Sequence, residues 1–78
     1  MIEYEVIRAG GDCSRHFVCP DGHFADKLYY DMYEYLYYDM EQPHEIAEDA
    51  ASWCEFATAG EEYDGDDFII TVSEREDW

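Results

Sequence analysis

Seventy-eight residues leave room for one domain around one small core. Hydrophobic residues at 47% and aromatics at 18% are too plentiful for a disordered acidic tail. Twenty-one acids against four bases, a formal charge of −17, exclude direct binding of nucleic acid or an anionic membrane by the bulk of the surface, and call for a basic partner or a bound cation.

The chain opens on MIEYEVIRA, Met1 to Ala9, which alternates with period two. Ile2, Tyr4 and Val6 face one way and Glu3 and Glu5 the other, the pattern of a half-buried strand. Gly10-Gly11-Asp12 breaks it as a hairpin connection would. SRHFVC, Ser14 to Cys19, reads as a second strand, closed by the turn signal Pro20-Asp21-Gly22. The N-terminus has no long apolar run of the kind a signal peptide needs, and no stretch approaches the ~20 apolar residues of a membrane span. Three cysteines, an odd number, suit a reducing compartment, so the expected location is the cytoplasm.

HFADKLYYDMYEYLYYDM, His23 to Met40, holds six of the eight tyrosines, interleaved with Asp26, Asp31, Glu34 and Asp39. At about 100° per residue, Phe24, Ala25, Leu28, Met32, Tyr35, Leu36 and Met40 form an apolar stripe from Phe24 or Ala25 to Met40. Tyr30, Tyr38, Asp31 and Glu34 lie opposite, with Tyr33 and Tyr37 on the flank. Rings on the wet face are not explained by folding.

A second helix is expected from about Pro43 to Thr58, with Pro43 in its first turn and Glu45, Glu48 and Asp49 favouring its N-terminal dipole. Ile46, Ala47, Ala50, Ala51, Trp53, Cys54 and Ala57 form its inner face, and Gly60 serves as a stop. Glu61 to Asp67, EEYDGDD, reads as an acidic turn, and Phe68 to Ser73, FIITVS, as the strand richest in β-branched residues. Glu74 to Trp78 is a charged tail. The expectation is a single α+β domain over residues 1–78: a ββααβ chain whose three-stranded, mostly antiparallel sheet carries two helices on one face.

Chemistry-bearing sets are few. Cys13, His16, Cys19 and His23 contain zinc-ligand types, but six residues of strand separate the cysteines by about 20 Å and His16 points away from both. Asp64, Gly65, Asp66 and Asp67 resemble a calcium loop in composition without its register. Cys54 sits on an apolar helix face beside Trp53, a core position rather than a nucleophile's. No phosphate loop or nucleophile elbow is present. The expectation is a non-enzymatic protein without metal or cofactor.

The acids and tyrosines remain. Solubility needs a net charge of roughly 2–8 on a small domain, and the excess here costs stability through self-repulsion. From Asp39 to Trp78 there are fourteen acids and one base, Arg75. Carboxylates at helical spacing can stand in for phosphates, and tyrosine rings pack on arginine guanidinium groups. The expected partner-facing surface is Tyr30, Asp31, Glu34, Tyr37, Tyr38, Asp39, Glu41, Glu45, Glu48, Asp49, Glu55, Glu61, Glu62, Asp64, Asp66 and Asp67.

In length, charge and acidic helix-and-turn surface the chain resembles the small acidic inhibitors encoded by phages and mobile elements, among them anti-CRISPR and antirestriction proteins. That resemblance implies a DNA mimic that evades host defence by occupying the basic nucleic-acid-binding groove of a nuclease. A Cas9-type or other Cas effector is the attractive target, because its PAM-reading and heteroduplex channels are arginine-rich; a restriction-type nuclease is the other. Such a protein would act in the host cytoplasm as a monomer or homodimer, through protein–protein interaction. Two other readings are a halophilic protein, whose acidity is solvation chemistry, and an interaction module donating a sheet edge, with FIITVS as that edge.

Overall fold

A computed structural model describes residues 1–10, 14–19 and 26–74. It is an α+β fold of four antiparallel strands and two helices. Strand β1 (Ile2–Arg8) pairs with β2 (Ser14–Cys19) on one side and with β4 (Phe68–Glu74) on the other. A short strand β3 (Glu62–Asp64) completes the sheet in the order β2-β1-β4-β3. Helix α1 (Asp26–Glu34) runs into a wider π turn, Tyr35–Asp39, and α2 (His44–Phe56) follows.

The alternation read in β1 holds. Tyr4 and Val6 are buried on the helix side, with Phe17, Phe68, Ile70 and Val72 beside them. Met32, Leu36 and Met40 from the tyrosine helix, and Ala47, Ala50, Ala51 and Cys54 from α2, close over this face. Each of those four α2 residues has no exposed surface, and none is larger than cysteine. The Tyr4 hydroxyl donates to the Cys54 carbonyl at 3.2 Å. Leu28, Tyr35, Ile46, Trp53 and Ala57 pack around the core but are only half-buried.

Three expectations are corrected. The sheet has four strands, because Tyr63 turns inward from the EEYDGDD stretch to stack on Phe68, with ring centroids 5.8 Å apart, and pairs its backbone with Ile70. The helix pair carries the chain across the sheet to the far edge. FIITVS is therefore not an edge but lies between β1 and β3; the edges are β2 and the short acidic β3, and charge with short length is how an exposed edge avoids unwanted pairing. Pro43 precedes α2 rather than occupying its first turn: its ψ of 151° is extended, and its carbonyl accepts the Ala47 N–H at 3.0 Å. The Gly11 to Cys13 connection, the Pro20 to Gly22 turn and Phe24 and Ala25 lie outside the described residues, as does the tail beyond Glu74.

The end of the tyrosine helix was not visible in its periodicity. The Met40 N–H bonds the Tyr35 carbonyl five residues back at 3.1 Å, and the Gln42 N–H reaches Leu36 at 2.9 Å. The second bond reaches back six residues, one more than the bond of a Schellman stop, and Glu41 within it lies in the left-handed region at φ 54°. Gln42 is buried and donates from Nε2 to the Met40 carbonyl at 3.1 Å. Among the described residues, no helix is long and apolar enough to cross a membrane.

Two predictions follow from this geometry. Glycine is the residue that suits a left-handed C-terminal stop, so Glu41→Gly should stabilise the fold by about 0.5–1 kcal/mol in urea unfolding. An unchanged or lower midpoint would mean that Glu41 makes compensating contacts. The second concerns alkali. Burial, then the nearby Cys19 and Cys54 thiols, push the Tyr4 phenol from its ordinary 10.0 up to about 12. Burial, then Cys19, push the Cys54 thiol from 9.0 up to about 12. The folded state thus holds protons the unfolded chain has lost, so stability present below about pH 9 drains away as pH rises toward about 12. Tyr4→Phe should lower stability at neutral pH by about 0.5–1.5 kcal/mol, the worth of one hydrogen bond, and flatten the alkaline fall above about pH 10. Identical alkaline slopes for both proteins would contradict the assignment.

Candidate partner-binding surface

The site is built on the outer side of the helix layer. In α1 and the π turn, residues four apart share a face, which brings Tyr33 and Tyr37 into ring contact, while two further contacts join neighbouring tyrosines. Tyr33 and Tyr37 stack with centroids 5.7 Å apart and planes 14° from parallel. Tyr37 meets Tyr38 edge-on at 4.8 Å, and Tyr29 meets Tyr30 the same way at 5.7 Å. Tyr30 and Tyr38 remain 63% and 66% exposed, so these rings are displayed rather than packed away.

The link to α2 is a three-member polar chain. His44 Nε2 lies 2.9 Å from Glu48 Oε2, one helical turn on, and its Nδ1 lies 2.5 Å from the Tyr33 hydroxyl. A neutral imidazole satisfies both contacts when Nε2–H donates to Glu48 and Nδ1 accepts from Tyr33. Desolvation, then Tyr37, Tyr38, Glu48 and Tyr29, hold the Tyr33 phenol above its ordinary value, which keeps it a donor. Around this chain Tyr29, Tyr30, Tyr33, Glu34, Tyr38, His44 and Glu48 line an open cavity of about 450 Å³.

A second hollow shares Glu34 and Tyr38 with the first. It is lined by Arg15, Asp31, Tyr35 and Asp39 as well, with a volume of about 260 Å³. The Arg15 guanidinium carbon sits 4.9 Å from the Phe17 ring centre and 5.1 Å from that of Tyr35. Arg8 closes the end of the π turn by donating to the Asp39 carbonyl at 2.9 Å.

The other expected site residues divide by location. Glu45, Glu48 and Asp49 line a hollow on α2 with Ser52, and Glu41 and Glu55 are exposed on the same layer. Asp49 accepts from the Tyr63 hydroxyl at 2.8 Å, tying α2 to β3. Burial first, then that bond and the charges of Asp49 and Asp66, push the Tyr63 phenol up to about 12. Glu61 is engaged in structure: it accepts from the Thr58 N–H at 2.6 Å and from its hydroxyl at 2.9 Å, which holds its carboxyl below the ordinary range. Asp67 accepts from Gln42 at 3.4 Å and from the Ala9 N–H through its carbonyl at 2.8 Å. Asp66 and Asp64 flank Gly65, where a Cβ would come within 2.7 Å of the Phe68 ring.

Glu62 and Asp64 alternate with the inward-facing Tyr63, so they stand on the sheet face away from the helices. His16, Glu3 and Glu5 share that face: His16 Nδ1 is 2.8 Å from Glu3 and Nε2 is 3.3 Å from Glu5. Of the zinc-type set, Cys13 and His23 lie outside the described residues, and His16 and Cys19 occupy opposite faces of β2. No group of three or more His, Cys, Asp or Glu side chains among the described residues is arranged to hold a metal ion.

The expected surface omits Tyr29, Tyr33, His44 and Arg15. The first two were in reach of the spacing, each four residues from the next tyrosine on, Tyr33 and Tyr37 respectively, and His44 stands at the i, i+4 distance from Glu48. Arg15 is sixteen or more residues from the acids that line its hollow, and no local pattern signals it.

Comparison with protein-family models, with curated proteins and with solved structures finds no match.

Exposed rings contribute little to folding. Tyr30→Ala and Tyr38→Ala should each change stability by no more than about 0.5 kcal/mol, whereas Leu36→Ala, at a fully buried site, should cost about 2–5 kcal/mol. Leu28→Ala should fall between, since Leu28 is half-buried. Urea unfolding of the four variants checks this, and a large loss from either tyrosine would make the display structural.

Proposed function

We propose that the protein is a DNA-mimic inhibitor that occupies the basic nucleic-acid-binding groove of a defence nuclease. The observation that carries this reading is charge density over a body of the right size. The longest extent of the molecule is 33 Å. A duplex carries one charge per ~1.7 Å of axis, so the same length holds about 20 phosphates. The chain carries twenty-one acids and a net −17.

The helix layer supports the reading further. Its acids come with exposed rings, and a partner that desolvates those rings gains short-range energy beyond steering. A halophilic surface needs the acids but has no use for displayed tyrosines. The candidate targets are a Cas effector, with Cas9-type nucleases the attractive case, or a restriction-type nuclease, since each must present arginine and lysine to a phosphate backbone.

The test is competition. The protein should displace DNA or guide RNA from such a nuclease, and added nucleic acid should displace the protein. Glu48→Lys with Asp49→Lys, on the helix layer, should slow association by about tenfold or more, with the loss steepest at low salt. Glu62→Lys with Asp64→Lys, on the opposite sheet face, separates a one-sided surface from an all-round one. If the helix-layer reversal competes as well as the parent protein, the acids are a solvated face and the reading fails.

A further inference from the structure

We propose that the tyrosine cavity between α1 and α2 is a receptor for the guanidinium group of one arginine side chain presented by a protein partner. This rests on the basic-partner reading above and names the chemistry of its central contact.

The chain contains its own template. In the hollow beside the cavity, Arg15 lies over the rings of Phe17 and Tyr35 at 4.9 and 5.1 Å, with Asp31, Glu34 and Asp39 around it. A guanidinium is therefore seated against aromatic rings at this helix, in a hollow that three carboxylates also line. Across Glu34 and Tyr38, which line both spaces, the combination recurs: Tyr29, Tyr30 and Tyr33 stand with Glu34, Tyr38 and Glu48 around about 450 Å³. Among the described residues, no arginine or lysine lines this second space. Arg8 and Arg15, the described arginines, are engaged elsewhere, on the Asp39 carbonyl and on the rings of the first hollow.

The walls favour arginine over other cations. Tyr29 and Tyr30 stand 89° apart, so the cavity offers both a ring face and a ring edge to a flat group. Its two carboxylates come from different helices, Glu34 on α1 and Glu48 on α2. A planar fork with five donors can divide its hydrogen bonds between two such acceptors and still lie against a ring, whereas an ammonium is a compact, strongly hydrated point charge. A fully methylated ammonium has no hydrogen bond to donate to either carboxylate. His44 fixes the Glu48 wall by holding Oε2 at 2.9 Å, and Tyr33 in turn holds His44, so the acceptor is positioned before a ligand arrives.

The probe is an acetylated, amidated pentapeptide with arginine at its centre between serine and glycine, compared with its lysine and citrulline counterparts. Each is titrated into the folded protein at about 0.15 M salt, where surface charges beyond about 8 Å are screened, and followed by backbone and tyrosine-ring NMR. The arginine peptide should shift Tyr30, Tyr38 and Glu48 and bind at least about fivefold more tightly than the lysine peptide, with the citrulline peptide giving no saturable shift. Tyr38→Ala and Glu48→Gln should each weaken binding by about fivefold or more, while Glu74→Gln, at an exposed strand position outside the cavity, leaves it within about twofold. Equal binding of arginine and lysine peptides, shifts that map outside the cavity, or no saturable binding overturns the site. An intact arginine preference in a protein that fails to compete with nucleic acid would remove the inhibitor reading and leave this site standing. Competition with nucleic acid by a protein showing no arginine preference would do the reverse.

Discussion

The contact between α2 and the two central strands sets the geometry of everything else. Ala47, Ala50, Ala51 and Cys54 are wholly buried in the shared core, and Tyr4 of β1 reaches the Cys54 backbone carbonyl. A larger residue at any of these positions would force strained rotamers or lift the helix, at about 1–3 kcal/mol. It would also move Glu48 and His44 relative to Tyr33, because they ride on the outer side of the same helix. Core packing and site geometry are thus coupled through one rigid element.

That packing works against considerable repulsion. Seventeen net negative charges on so small a body oppose compaction, and the described ion pairs, all of which use a histidine, offset little of it. Several acids instead take part in structure. Glu61 closes the turn after α2, Asp67 receives the Ala9 amide and the Gln42 side chain, and Asp49 anchors Tyr63.

Much of this was legible in the sequence. Period-two alternation identified β1, and helical spacing placed Met32, Leu36 and Met40 inside and Tyr30 and Tyr38 outside. What escaped was non-local. β3 has a single inward residue, and Tyr63 becomes a strand residue only because Phe68 and Trp53 offer it rings to pack on. The far-edge position of β3 depends on how far two helices carry the chain, which no residue pattern records. Arg15 was invisible as part of the surface for the same reason: strand pairing brings it under the π turn, and local spacing says nothing of that.

The π turn connects these two levels. An ordinary helix through Met40 would hand its last residues on at 3.6 per turn, but the bond from Met40 back to Tyr35 adds a residue to the final turn. Leu36 and Met40 still reach the core, and the extra residue leaves three successive side chains, Tyr37, Tyr38 and Asp39, on the outside. Tyr38 thereby stands between the two hollows, one holding Arg15 and the other lined by tyrosines and two glutamates. The widened turn ends on Glu41 in a backbone conformation that disfavours its side chain, followed at once by the buried Gln42. Gln42 fixes that ending by bonding both the Met40 carbonyl and Asp67 beyond the sheet. The strain at Glu41 is therefore held in place by packing on either side, and the display of Tyr38 comes with it.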